Sequence, residues 1–157
     1  MFNFGANRSS NANYRLESYR AAVQQIIASM GVDPQQASMN LERGYGWSFR
    51  RGTAIIEIYI IQEGEGGAGL LQVLSPIMHL PQSGLLPLYR RLLELNLQLT
   101  NAAFGVFQEV VYVYNERPLD GMDNIEAANI ISMVASYADE YDDRLIAEFG
   151  GRIYNRA

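Results

Sequence analysis

Lysine and cysteine are absent from this chain of 157 residues, and histidine occurs once, at His79. Without thiols there is no disulfide framework, no thiolate nucleophile and no cysteine ligand for zinc, a pattern that fits a reducing compartment. Without an ε-amine no lysine Schiff base can form, and one imidazole cannot by itself assemble a zinc site. Positive charge is scarce as well. Seventeen acidic residues outnumber the 12 arginines, and no stretch concentrates arginine as binding to a phosphate backbone demands, which excludes nucleic acid as the expected partner. No apolar run approaches the roughly 20 residues that span a bilayer. The start, Met1 to Asn13, is rich in Asn and Ser and lacks an apolar signal core. The chain is therefore expected to be soluble and cytoplasmic, with no membrane partner. What it does have is apolar and aromatic: 48% of its residues are hydrophobic and ten are tyrosine, enough for one real core.

The first element is an amphipathic helix. Leu16, Tyr19, Val23, Ile26, Ile27 and Met30 recur at three-and-four spacing, and Gly31 stands where helices stop. Val32 to Arg43 reads as a connector, with a short helical turn possible after Pro34. Tyr45 to Arg50 is a short aromatic strand, turning at Arg51 and Gly52 into a second strand, Thr53 to Gln62. That second strand is apolar on both faces. Ala54, Ile56, Ile58 and Ile60 alternate with Ile55, Glu57, Tyr59 and Ile61, whereas a strand with a solvated back should alternate with polar residues. The second face is expected to lie under a helix, a tail or another subunit. Glu63 to Gly67 is read as a flexible tip before a third strand, Leu70 to Met78, whose Pro76 points to a sheet edge. Leu85, Leu88, Leu92 and Leu95, joined by Leu86, Tyr89 and Leu93, make a Leu-rich helix with Pro87 in its first turn and Ser83 as N-cap. Ala103 to Phe107 and Val110 to Glu116 form a second hairpin around Gln108 and Glu109. Asp123 and Glu126 open a final helix in a capping-box pattern, burying Ile130, Ile131, Val134, Ala138, Tyr141 and Leu145. The fold class is α+β: an antiparallel sheet of about five strands with helices in the order α-βββ-α-ββ-α. Residues 1–13 are read as a flexible leader, 14–149 as one domain and 150–157 as a tail.

The residues carry a resemblance. Trp47, Phe49, Arg50, Arg51 and Gly52 lead into the Ile-rich strand, and are followed by LLPLYRRLLELNLQL (85–99), AAFGVF (102–107), RPLDGMD (117–123) and ASYADEYDDRL (135–145). In order and spacing these segments resemble the bacterial YbjN family, whose fold is similar to the dimeric chaperones of type III secretion, the CesT/Tir-chaperone type. The resemblance spans Tyr14 to Glu148. It implies the chaperone-like fold, a homodimer and a protein-binding role. The Asn-rich leader and the Gly/Glu tip lie outside the family pattern.

The remaining candidates for chemistry are weak. Asp139, Glu140, Asp142 and Asp143 crowd the end of the last helix, electrostatically the wrong end for anions, and without an EF-hand loop they read as a solvated or arginine-paired face. Ser75 precedes His79 by four residues, but no nucleophile elbow surrounds it. The glycines of 64–69 lack the lysine of a phosphate loop. No catalytic residue, metal ligand or cofactor site is assigned.

The basic residues are all arginine, and tyrosine is abundant; both are enriched at interface hot spots. Ile55, Tyr59 and Ile61 on the two-sided strand, Arg90 and Arg91 on the middle helix, and Tyr112 and Tyr114 on the second hairpin are the candidate protein-interaction residues. The chain is expected to be a non-catalytic, chaperone- or adaptor-like protein-binding module that pairs with itself and with a client protein. The alternative is a regulatory domain that binds a small ligand between helices and sheet.

Overall fold

Helix α1 (Ala6–Ser29) opens the computed structural model, which describes residues 6–62 and 69–155, with side chains from residue 16 onward. The Gly/Glu tip and the first five residues of the expected leader lie outside the described residues. Helical backbone begins at Ala6, inside the segment read as a leader. Asn and Ser are weak helix formers, but a helix once nucleated in stronger sequence propagates through them. After α2 (Pro34–Ala37) come β1 (Ser38–Met39), β2 (Tyr45–Arg51), β3 (Ala54–Gln62), β4 (Gly69–His79), α3 (Leu85–Asn96), β5 (Ala103–Phe107), β6 (Val110–Pro118), α4 (Asn124–Phe149) and β7 (Arg152–Ile153).

The strands make a seven-stranded sheet in the order β1-β2-β3-β4-β6-β5, with β7 paired to β4. The α+β class and the order of the long elements stand as read from sequence. The strand count rises from about five to seven through two additions of two residues each, β1 and β7, too short to show any periodicity. β7 lies in the segment read as a tail. Pro76 sits within β4, which has β3 and β6 as neighbours, so the expectation of an edge fails. One proline removes one donor from an eleven-residue strand whose place is set by its buried face.

The chain divides into two compact units, each built from three segments. The first comprises Met1–Ser48, Ile58–Gln72 and Glu116–Ala128. Here Val23, Ile26 and Ile27 of α1 are buried, and the Tyr19 hydroxyl donates to the Leu119 carbonyl at 2.5 Å. Gly31, with φ of 82°, ends the helical turn as expected. Asp33 caps α2 through the Gln35 amide at 2.9 Å. β1 pairs with β2 antiparallel, Ser38 opposite Trp47 and Met39 opposite Gly46. At the start of α4 the Asp123 carboxylate accepts the Glu126 amide at 2.7 Å, so half of the capping box forms. The Glu126 carboxylate turns instead to Arg117, at 2.5 Å.

The second unit comprises Phe49–Glu57, Val73–Asn115 and Asn129–Ala157. Its core includes Ile77 and Met78 of β4, Leu88, Leu92 and Leu95 of α3, Val111 and Val113 of β6, and Ile130, Ile131, Val134, Ala138 and Leu145 of α4. Tyr141, expected in this core, is half-buried and meets Phe104 edge-on with centroids 5.4 Å apart. The N-cap of α3 is Gly84 in the left-handed region, without a side-chain cap, rather than Ser83. Gln108 and Glu109, with φ of 46° and 63°, supply the two-residue turn between β5 and β6, the positive-φ geometry that hairpins favour even without glycine.

Candidate functional site

The β5–β6 hairpin is the framework for a concave surface. Its register sets Ala103 opposite Tyr114, Gly105 opposite Tyr112 and Phe107 opposite Val110. Alternation along β6 therefore buries Val111 and Val113 and turns Tyr112 and Tyr114 to the other face. On that face lies a hollow of about 450 Å³ lined by Glu57, Leu74, Gly105, Val106, Phe107, Tyr112 and Tyr114. Phe107 remains 64% exposed and Tyr114 46%, large apolar areas that nothing in the unit covers. Tyr112 is half-buried. Burial, foremost, with the nearby Tyr154 and then Glu57, holds its phenol above the ordinary tyrosine range.

Helix α3 presents two apolar stripes. Leu88, Leu92 and Leu95 are buried, while Leu86, Leu93 and Leu97, at spacings of seven and four, are 79%, 68% and 89% exposed. At 100° per residue the two stripes lie on nearly opposite sides. Arg90 lies beside the exposed leucines and pairs with Glu94 at 2.9 Å. Arg91 projects elsewhere, toward Glu148 of α4 at 3.9 Å. The two arginines therefore do not act as a pair.

Of the other expected interaction residues, Ile55 is buried, while Tyr59 and Ile61, in the first unit, are half-buried. Tyr112 and Tyr114 are the two that the structure brings together in one hollow. Sequence reasoning missed Phe107 and Glu57 as their companions, because strand pairing in the sheet rather than sequence spacing assembles them. It also missed the outward stripe of α3, in which Leu86 and Leu93 read simply as part of one Leu-rich helix.

The acidic run proves structural in part. Asp142 is only 1% exposed, and its carboxylate accepts the Thr53 hydroxyl at 2.6 Å. Asp139 accepts the Thr53 amide at 2.9 Å and its hydroxyl at 3.2 Å. The reading of this run as a solvated or arginine-paired face therefore fails at Asp142, because the β2–β3 turn docks there and removes water. Glu140 pairs with Arg144 at 2.5 Å. Ser75 is fully buried, and four strand residues place it about 13 Å from His79 along β4. His79 stacks on Tyr154 with centroids 5.4 Å apart, so these two residues form no dyad. No helix among the described residues is long and apolar enough to cross a membrane.

Comparison with known proteins bears on this arrangement. A chain in the structure of the HopA1-SchA chaperone-effector complex has a similar fold, with a TM-score of 0.56 and 9% identity over 80% of this chain and 93% of that one. No curated protein matches the chain. The model of the YbjN family, described as "Putative bacterial sensory transduction regulator", matches residues 19–147. That span runs from the buried stripe of α1, through both hairpins and the two-sided α3, to the last turns of α4, and on it the chain belongs to the YbjN family.

Proposed function

We propose that this protein is a non-catalytic, chaperone- or adaptor-like binding module that acts in the cytoplasm as a homodimer and engages a client protein. The observation that carries this reading is the outward stripe of α3: Leu86, Leu93 and Leu97 expose three large apolar side chains on one helical face. Such a stripe is the seam that helix pairs bury. Its charges suit self-association. Antiparallel pairing about a two-fold axis near the middle of the helix sets Leu86 against Leu97 of the second copy. The same pairing sets Arg90 against Glu94, so each contact is made twice. The fold likeness to a chain of a chaperone-effector complex supports the protein-binding part.

The test is solution mass. The wild-type chain should run at twice 17.6 kDa, and Leu93→Asp should run as a folded monomer with unchanged circular dichroism. Arg90→Glu should weaken the dimer by opposing two carboxylates, and adding Glu94→Arg should restore it. A wild-type monomer at micromolar concentration would remove the homodimer.

The family description, a regulator of sensory transduction, favours a second reading in which the domain binds a small ligand. A ligand that binds only the native state raises the melting temperature with concentration, so a thermal-shift screen separates the readings.

A further inference from the structure

With no lysine to acylate and no cysteine to oxidise, this chain has hydroxyl groups as its main acceptors for a reversible covalent mark. One of them stands behind two arginines. Adjacent arginines occur at 50–51 and at 90–91, and only the first pair is followed by a hydroxyl, in Arg50-Arg51-Gly52-Thr53. Gly52 and Thr53 form the turn between β2 and β3, and Arg50, Arg51 and Thr53 are all exposed. Protein kinases select their acceptors by charge pattern. Two guanidinium forks set just before a hydroxyl suit a kinase whose substrate groove carries carboxylates.

The same hydroxyl attaches the turn to α4. Thr53 Oγ1 lies 2.6 Å from Asp142 Oδ2 and 3.2 Å from Asp139 Oδ1, and the Thr53 amide donates to Asp139 at 2.9 Å. A hydroxyl carries a single proton, so it donates to one carboxylate at a time while standing between two. Asp142 is buried beneath it, 1% exposed. The place accommodates a neutral donor and no anion. A phosphothreonine carries about −1.5 to −2 charges at neutral pH and presents acceptor oxygens where a donor is needed, so beside two carboxylates it disrupts by repulsion and desolvation.

We propose that Thr53 is a phosphorylation site for an arginine-directed Ser/Thr kinase, and that the phosphate releases the β2–β3 turn from α4. The Thr53 amide and hydroxyl tie the turn down, so local opening frees the acceptor without unfolding the rest of the unit. In the opened turn Thr53 Oγ1 takes the terminal phosphoryl group of ATP. The new O–P bond forms as the bond to the β-phosphate oxygen breaks, ADP leaves, and the hydroxyl proton passes to the kinase's catalytic carboxylate. The phosphorylated turn cannot redock against Asp139 and Asp142, and hydrolysis of the phosphate restores the tie. The assignment goes beyond the protein-binding reading and is independent of the α3 stripe.

The experiment incubates the full chain, and beside it the peptide Phe49–Ile56, with MgATP and an extract of the cells that make the protein, and maps phosphate by mass spectrometry. Phosphate on Thr53 is expected in both. Replacing Arg50 and Arg51 together by alanine should lower its incorporation about tenfold. A modified peptide beside an unmodified chain would overturn the site on access, and absence of phosphate from both would overturn it on specificity. Release of the turn is read separately. Thr53→Glu should lower the melting temperature by about 5–10 °C and speed hydrogen exchange of the residue-53 amide about tenfold. Thr53→Val, which removes the hydroxyl bond and adds no charge, should do less. Adding Asp139→Asn to Thr53→Glu keeps an acceptor for that amide and should recover most of the difference. Equal effects of the glutamate and valine replacements, or no recovery with Asp139→Asn, would contradict release by charge.

Discussion

The side-chain amide of Asn96 donates to the Phe104 carbonyl at 3.2 Å and accepts the Phe104 amide N–H at 2.6 Å. Asn96 is the last residue of α3, and Phe104 lies on β5, the strand that ends the sheet order. In an antiparallel ladder the N–H and C=O of one residue point the same way. Those of Phe104 point away from β6, toward where a further strand would pair. Asn96 therefore reproduces the two bonds of a neighbouring strand residue and closes an edge that would otherwise template association.

Replacing Asn96 by alanine should cost about 1–3 kcal/mol, the penalty of leaving part-buried backbone groups unpaired. Urea unfolding measures that loss. The opened edge should also produce concentration-dependent light scattering that the wild type lacks. An Asn96→Ala chain as stable and as unassociated as the wild type would show that the edge needs no clamp.

A second relationship fixes the β2–β3 turn. Gly52 has φ of +58°, and a Cβ there would lie 1.9 Å from Asp139 Oδ1, the atom that takes both Thr53 donors. Gly52→Ala should therefore destabilise by about 2–4 kcal/mol, combining the left-handed backbone penalty with the lost carboxylate bonds. In an Asp139→Ala background only the backbone part remains, about 1–2 kcal/mol. A double-mutant cycle reads the difference as coupling, and additive losses would contradict the contact.

How much of this was legible in the sequence depends on whether the determinant is periodic. Val23, Ile26 and Ile27 announce the inward face of α1, and Ala54, Ile56, Ile58 and Ile60 that of β3, because burial repeats with the geometry of the backbone. All four of those β3 residues are buried. Non-periodic determinants stayed hidden. Gly84 replaces Ser83 as the cap of α3 through left-handed backbone, a feature of conformation rather than composition. Asn96 and Phe104 find each other across a loop. β7 pairs Ile153 with Met78 and Arg152 with His79, with no apolar run to mark it.

The candidate surface divides in the same way. Tyr112 and Tyr114 were visible as strand aromatics, but their companions Glu57 and Phe107 come from other strands through sheet pairing. Leu86 and Leu93 of α3 were visible only as part of one Leu-rich helix, since composition alone does not tell two stripes of one helix apart. Asp142 was read as part of a solvated or arginine-paired face because only the tertiary position of Thr53 shows that it is covered.

The pairing of Glu17 with Tyr45 makes a pH-dependent tie in the first unit. The Tyr45 hydroxyl donates to the Glu17 carboxylate, and Arg20 lies 4.7 Å from the centre of the Tyr45 ring while pairing with Glu17 at 3.3 Å. The tyrosine bond, foremost, holds the Glu17 carboxyl below the ordinary glutamate range against the opposing effect of desolvation, with Arg20 adding to the depression. The same bond, with burial and the Glu17 charge, raises the Tyr45 phenol above its ordinary range. A depressed carboxyl contributes stability that is present above the unfolded pKa, about 4.3, and is lost as pH falls through the lower folded value. A raised phenol contributes stability that is present below about 10 and is lost as pH rises through the higher folded value. The tie is therefore complete across neutral pH and fails at both extremes. Tyr45→Phe should move the Glu17 carboxyl titration upward in NMR and flatten both limbs of the stability profile. A Glu17 titration unchanged by Tyr45→Phe would assign the depression to Arg20 instead.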